Sequence, residues 1–371
     1  MAHRKLAALA AALLAGVLVV GCSSTREGST STDGESVAAG GETLVGITMP
    51  TKSLERWNND GSQLVTLLQE KGYKTQLDYA DNKPEEQAKQ LENQINAGAK
   101  ILIVASIESK ALIPTLQTAA EKGIKIIAYD RLLMDTENVD YYATFDLEKV
   151  GNLQGEFIVE NLGLKDGKGP FNIELFAGSP DDNNASLYFK GAWDILKPYY
   201  DEGKLKVPSG KVPETLADWA QIGILSWKAE TAQNEMENRL NSFYSDKKVD
   251  AVLSPNDSLA LGIAQALEGK GYKVGDDWPI LTGQDGDVAN IKNILAGKQT
   301  MTVWKDTRKL ADAVAAMVDD IAGGKEPGIT TSYSNNTKDV PSVTLESQVV
   351  VEDTVQSLLV DSGFVTEDQL K

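Results

Sequence analysis

One cysteine and one histidine occur in 371 residues. His3 precedes an apolar stretch over 6–20, and Cys22 follows that stretch by one residue. A chain cut before Cys22 keeps no histidine. Ser-His-Asp and Cys-His nucleophile pairs are then excluded, as are zinc sites built on His or Cys and any disulfide within the chain. The apolar stretch is about 15 residues, short of the roughly 20 that span a bilayer as a helix. No P-loop or Gly-x-Gly-x-x-Gly follows a strand, and no EF-hand-like loop is present. Basic residues are outnumbered, 36 against 54 acidic ones, and loss of Arg4 and Lys5 leaves 34 against 54, a net −20. That sign opposes binding to nucleic acid or an anionic lipid surface.

What is present begins with Arg4 and Lys5, then the apolar run, then a small residue at a cut site. This is the layout of an export signal. Val19-Val20-Gly21-Cys22 resembles a bacterial lipobox, which implies a signal peptide over 1–21 and lipidation of Cys22. An extracytoplasmic protein, lipid-anchored to the outer face of the cell membrane, is expected. Residues 23–41 are Ser, Thr, Gly, Glu and Asp with almost no apolar side chains. Such a segment cannot bury a core, so 22–41 reads as a flexible tether.

From Thr43 onward, short apolar runs alternate with longer amphipathic segments. Strands are expected over 44–47, 74–79, 101–104, 124–128, 171–176, 249–253, 280–281 and 301–303. Helices are expected over 54–71, 84–97, 111–121, 150–162, 187–200, 229–244, 259–267 and 288–295. Continuous apolar strands separated by helices predict an α/β protein with parallel sheets covered on both faces. The joints Glu70-Lys71-Gly72-Tyr73-Lys74, Glu121-Lys122-Gly123-Ile124-Lys125 and Gly269-Lys270-Gly271-Tyr272-Lys273 share one form. Each places Lys in a last helical turn and Gly just beyond it as a C′ cap.

Ligands of open parallel sheets bind beyond the carboxyl ends of the strands. There the chain carries Lys52 and Arg56-Trp57, then Asp130-Arg131, then 179–184, Asn256-Asp257, Gln284-Asp285 and Trp304-Lys305. Carboxylates, amides and cations suit vicinal hydroxyls, since charge-assisted hydrogen bonds are the stronger kind. Trp57 and Trp227 offer flat faces with an indole N–H at the edge. Asp and Asn after a strand are equally ordinary helix N-caps.

Leu54-Glu55-Arg56-Trp57, Ala128-Tyr129-Asp130-Arg131, residues 178–185 and Gly283-Gln284-Asp285 resemble the sugar-binding proteins of bacterial ABC importers. Within these, the xylose-binding and multiple-sugar-binding (glucose, galactose, xylose) receptors are most similar. The resemblance runs from about Leu44 to the C-terminus. It implies the type I periplasmic-binding-protein fold, two doubly wound parallel-sheet lobes joined by a three-segment hinge. It further implies that Arg56, Asp130, Arg131, Asp182, Asn184, Asn256, Asp285 and Lys305 bond a monosaccharide, and that Trp57 and Trp227 pack against it. Lys52 matches the multiple-sugar receptors and Asn256 the xylose type. The implied lobes are 42–145 plus 286–340, and 146–285 plus 341–371, with crossings near Phe145-Asp146, just after Asp285, and near Val340-Pro341.

The implied function is the extracytoplasmic substrate-binding component of an ABC sugar importer, with no chemistry on the sugar, no cofactor and no metal. Its expected partners are a monosaccharide and a membrane permease, with the protein itself monomeric. A membrane sensor reading the closed form is the alternative. A glycosidase built on Asp181, Asp182 and Asp285 fits less well, because the surrounding cations favour binding over acid–base work. A repressor is opposed by the export signal, the charge and the lack of a helix-turn-helix segment.

Overall fold

The computed structural model describes residues 43–371, so the expected signal segment, Cys22 and the expected tether lie outside the described residues. The first lobe opens with β1 (Leu44–Met49), α1 (Glu55–Glu70), β2 (Lys74–Tyr79) and α2 (Pro84–Asn96). It continues with β3 (Ile101–Val104), α3 (Ser109–Glu121), β4 (Lys125–Tyr129) and β5 (Tyr141–Phe145). These strands pair in parallel. Ile101 and Ile103 join the core beneath α1, while Leu102 and Val104 join the one beneath α2 and α3. A pleated strand sends alternate side chains to opposite faces. Cover on both faces is what makes such strands read as unbroken apolar runs.

The chain then crosses into a second lobe through α4 (Leu147–Leu162), β6 (Phe171–Leu175), α5 (Asn183–Asp201), β7 (Leu205–Lys206) and α6 (Ala229–Phe243). β8 (Ala251–Leu253), α7 (Asp257–Lys270), β9 (Ile280–Leu281), α8 (Val288–Leu295) and β10 (Thr302–Trp304) complete it. Its parallel sheet has the order β7-β6-β8-β9. The chain returns to the first lobe as α9 (Thr307–Ala322), which packs on α1 through Leu310, Val314 and Val318. β11 (Thr331–Ser334) and β12 (Asp339–Leu345) then extend the first sheet, giving β11-β12-β5-β4-β3-β1-β2. Finally β13 (Gln348–Val350) pairs antiparallel with β10 in the second lobe.

Three segments therefore cross between lobes, after Phe145, after Lys305 and after Leu345. The first and third run side by side, with the Asp146 N–H donating to the Leu345 carbonyl at 3.1 Å. Two crossings lie later than expected. Residues 286–304 stay with the second lobe because Ile291, Ile294 and Trp304 share an apolar cluster with Val350, Val355 and Leu359. β12 stays with the first to Leu345, paired against Phe145. The three cap glycines take the expected left-handed conformation, with φ of 88° at Gly72, 72° at Gly123 and 94° at Gly271.

Candidate sugar-binding cleft

Both sheets aim the carboxyl ends of their strands at one interlobe cavity. Arg56 and Trp57 occupy the first turn of α1. Asp130 and Arg131 follow β4, and Lys305 follows β10. Asp182 is the N-cap of α5, accepting the Asn184 N–H at 3.0 Å, and Asn256 is the N-cap of α7, accepting the Leu259 N–H at 3.0 Å. Both side chains also line the cavity. Capping thus does not keep either side chain from the cavity wall, since a cap uses one side-chain oxygen and leaves the rest of the group free. Nine of the expected residues line the space: Arg56, Trp57, Asp130, Arg131, Asp182, Trp227, Asn256, Asp285 and Lys305. Leu54, Tyr188 and Gln284 join them. The empty space among these side chains, counting that open to solvent, is about 290 Å³.

Two expected residues stand elsewhere. Lys52 is exposed, with its ammonium 5.0 Å from the centre of the Tyr79 ring. Asn184 is buried but absent from the cavity wall; its Nδ2 donates to the Asp130 carbonyl at 2.8 Å. That carbonyl also accepts from the Tyr142 hydroxyl at 2.7 Å and the Thr144 hydroxyl at 3.1 Å. Three donors on one carbonyl hold Asp130 at φ 60°. Trp227 at φ 55° and Asp285 at φ 107° are likewise left-handed. Non-glycine residues rarely adopt this region, and such strain concentrates at functional sites. A side chain on Gly178 would overlap the Trp227 indole, so a glycine there lets the ring lie against the backbone.

The charges are paired within and across the lobes. Arg56 Nη2 donates to Asp130 Oδ2 at 3.0 Å, and Lys305 Nζ meets Asp285 Oδ1 at 2.8 Å. Between lobes, Arg131 Nε lies 2.9 Å from Asp182 Oδ2, and Arg56 Nη1 lies 3.4 Å from Asp285 Oδ1. The Trp227 indole N–H donates to Asp182 at 3.2 Å. Burial alone would raise Asp130, but Arg56, Lys305 and Arg131 hold its carboxyl below the usual range. Burial dominates at Asp182 and pushes it up, with Asp130 and Asp181 adding to the effect and Arg131 opposing it. The guanidinium carbons of Arg56 and Arg131 sit 4.3 Å and 5.3 Å from the Trp57 ring centre, so this indole steadies two cations as well as forming wall. Such contacts are worth about 0.5–2 kcal/mol each.

Two buried polar atoms of the wall have no partner in the protein: Trp57 Nε1 and Gln284 Oε1. Unsatisfied buried polar groups are costly and uncommon. Among the described residues no cluster of His, Cys, Asp or Glu is arranged to hold a metal ion. Tyr188 escaped the sequence reading because it stands in the second turn of α5, where it reads as core. Asp60, which braces Arg56 from beneath, had a detectable signal, an opposite charge four residues on along one helix face.

The profile of the periplasmic binding protein domain matches residues 45–326. The multiple sugar-binding periplasmic protein SbpA of Azospirillum brasilense is 49% identical, over 88% of this chain and 91% of its own length. The D-xylose-binding periplasmic protein of Escherichia coli K12 is 36% identical, over 89% of this chain and 93% of its own length. An ABC transporter solute-binding protein of Clostridium phytofermentans with bound β-D-glucose superimposes with a TM-score of 0.85 at 49% identity, covering 89% of this chain and all of the other. With two parallel-sheet lobes, three crossings and a polar cavity between them, the chain belongs to the periplasmic binding protein family, beside the multiple sugar-binding and D-xylose-binding receptors.

Proposed function

We propose that the cavity binds one neutral monosaccharide of the glucose, galactose or xylose type, and that the protein delivers it to an ABC permease. The observation that carries this reading is the meeting of Arg56, Arg131 and Lys305 with Asp130, Asp182 and Asp285 around one small space. Three cations balance three carboxylates, which suits a ligand without net charge. Hydroxyl groups both donate and accept, so they can serve the unpartnered Trp57 indole N–H and the Gln284 oxygen together. A ligand touching both lobes binds the closed arrangement far better than an open one, and that difference drives closure. A thermal-shift screen of pentoses and hexoses tests the reading, because a ligand specific for the native state raises the unfolding temperature. A stabilising D-glucose, D-galactose or D-xylose supports it; no response to any neutral monosaccharide overturns it.

The lipobox-like Val19-Val20-Gly21-Cys22 supports anchoring of the exported protein through Cys22. The polar tether over 22–41 would give the lobes reach from the membrane surface. One acyl chain binds a membrane only marginally, so stable anchoring calls for more than one.

A further inference from the structure

Asp60 lies one turn beyond Arg56 on α1 and is fully buried. Its Oδ2 accepts from Arg56 Nε at 3.3 Å and Nη2 at 2.8 Å. Nη2 also serves Asp130, on the same lobe, at 3.0 Å. Nη1 alone reaches the other lobe, toward Asp285 at 3.4 Å. The donors of the guanidinium are therefore divided. One edge is bonded to Asp60 and Asp130 of the same lobe, and the other is presented to the cleft. Asp60 does not line the cavity. Its Oδ1 has no hydrogen bond, although Tyr129, Thr307 and Tyr79 face the carboxylate from β4, α9 and β2. Burying a carboxylate costs several kcal/mol unless its partner compensates, and here the partner is a group that faces the cleft.

We propose that Asp60 is a positioning residue of the sugar site: it fixes the Arg56 fork before the lobes close, and its ionisation sets sugar affinity. This rests on the sugar reading above. Burial pushes Asp60 up to about 6, against the pull of Arg56 and with a push from Asp130. Arg56 is the cation that faces it, and Asp130 the nearby carboxylate; the Thr307 hydroxyl also lies toward it, and Tyr79 and Tyr129 stay neutral, their pKa values raised. Acidification through about 6 removes the charge that orients Arg56. Affinity then falls, because a freed guanidinium must be ordered again on binding.

Calorimetry with D-glucose and D-xylose tests this on the purified parent, Asp60→Asn, Arg56→Ala and the double variant, from pH 8 to pH 5. Asp60→Asn is expected to weaken binding about tenfold or more at pH 8, with little added effect in the Arg56→Ala background, as coupled residues show. The parent should lose a comparable factor on acidification, and Asp60→Asn should lack that step. Additive effects, or an acid step unchanged in Asp60→Asn, would overturn the proposal. A parent that binds no sugar would instead defeat the reading under Proposed function. The Asp60–Arg56 coupling would then be read from unfolding temperatures of the same four proteins, where additivity counts against it.

Discussion

Arg131 and Asp182 come from opposite lobes and meet at 2.9 Å, with side chains only 7% and 4% exposed. Removing one member of a buried pair leaves the other desolvated, at a cost of about 3–5 kcal/mol. Arg131→Ala leaves Asp182 with the Trp227 indole and the Asn184 N–H. Sugar affinity should fall by roughly 100-fold or more, and small-angle scattering with saturating sugar should show a less compact protein than the parent. Parent-like affinity and compactness would show that the pair contributes nothing to closure.

Asp285→Ala removes the partner of Lys305, which is 2% exposed, and the interlobe partner of Arg56. Truncating one side of a buried charge pair costs about 2–5 kcal/mol, or roughly 30-fold or more in affinity. Circular dichroism should show the fold retained. Calorimetry that finds unchanged binding would remove Asp285 from the site.

Gly178→Ala forces the added methyl into the Trp227 ring. Overpacking of this kind costs about 1–3 kcal/mol of stability, and displacement of the indole takes away its bond to Asp182. Stability to urea should drop and sugar affinity should fall with it. Retained affinity with an unshifted tryptophan emission would show that the indole's seat is unimportant.

Most of the first lobe was legible in the sequence, because strands buried on both faces leave continuous apolar runs and the caps at Gly72 and Gly123 punctuate them. The strand ends named nine of the twelve cavity residues for the same reason. β5, α9 and the pairing of β10 with β13 were not, since lobe membership of 286–345 depends on contacts distant in sequence, such as Trp304 with Val350. Local pattern was equally silent on the left-handed backbone at Asp130, Trp227 and Asp285; at Asp130 it accompanies three tertiary hydrogen bonds to the carbonyl. Lys52 follows a strand in sequence, yet its side chain turns out over Tyr79.

Stability of the sugar-free protein should rise as pH falls from 8 to 6. Burial raises Asp60 to about 6 and Asp257 to about 7, the latter pushed further by Asp285. Both folded values exceed those of an unfolded carboxyl, so the folded state takes up the protons, and this stability is lost as pH rises through about 6–7. Without His3 no histidine titrates in that window. Calorimetric unfolding temperatures check the sign, and a temperature that climbs toward pH 8 would contradict it.

Cys22→Ser should leave the signal uncut or release the protein, with sugar affinity unchanged. Membrane fractionation reads the outcome. Normal processing and anchoring of the serine variant would rule out lipidation at this position.

Titration calorimetry of D-glucose, D-galactose and D-xylose into the purified protein, beside folded Asp130→Ala and Asp285→Ala variants, addresses the cleft most directly. The predicted result is one sugar bound per chain, with roughly 30-fold or greater weakening in each variant. Sugar binding that both variants keep at parent affinity, or no binding by the parent, would contradict a site between the lobes.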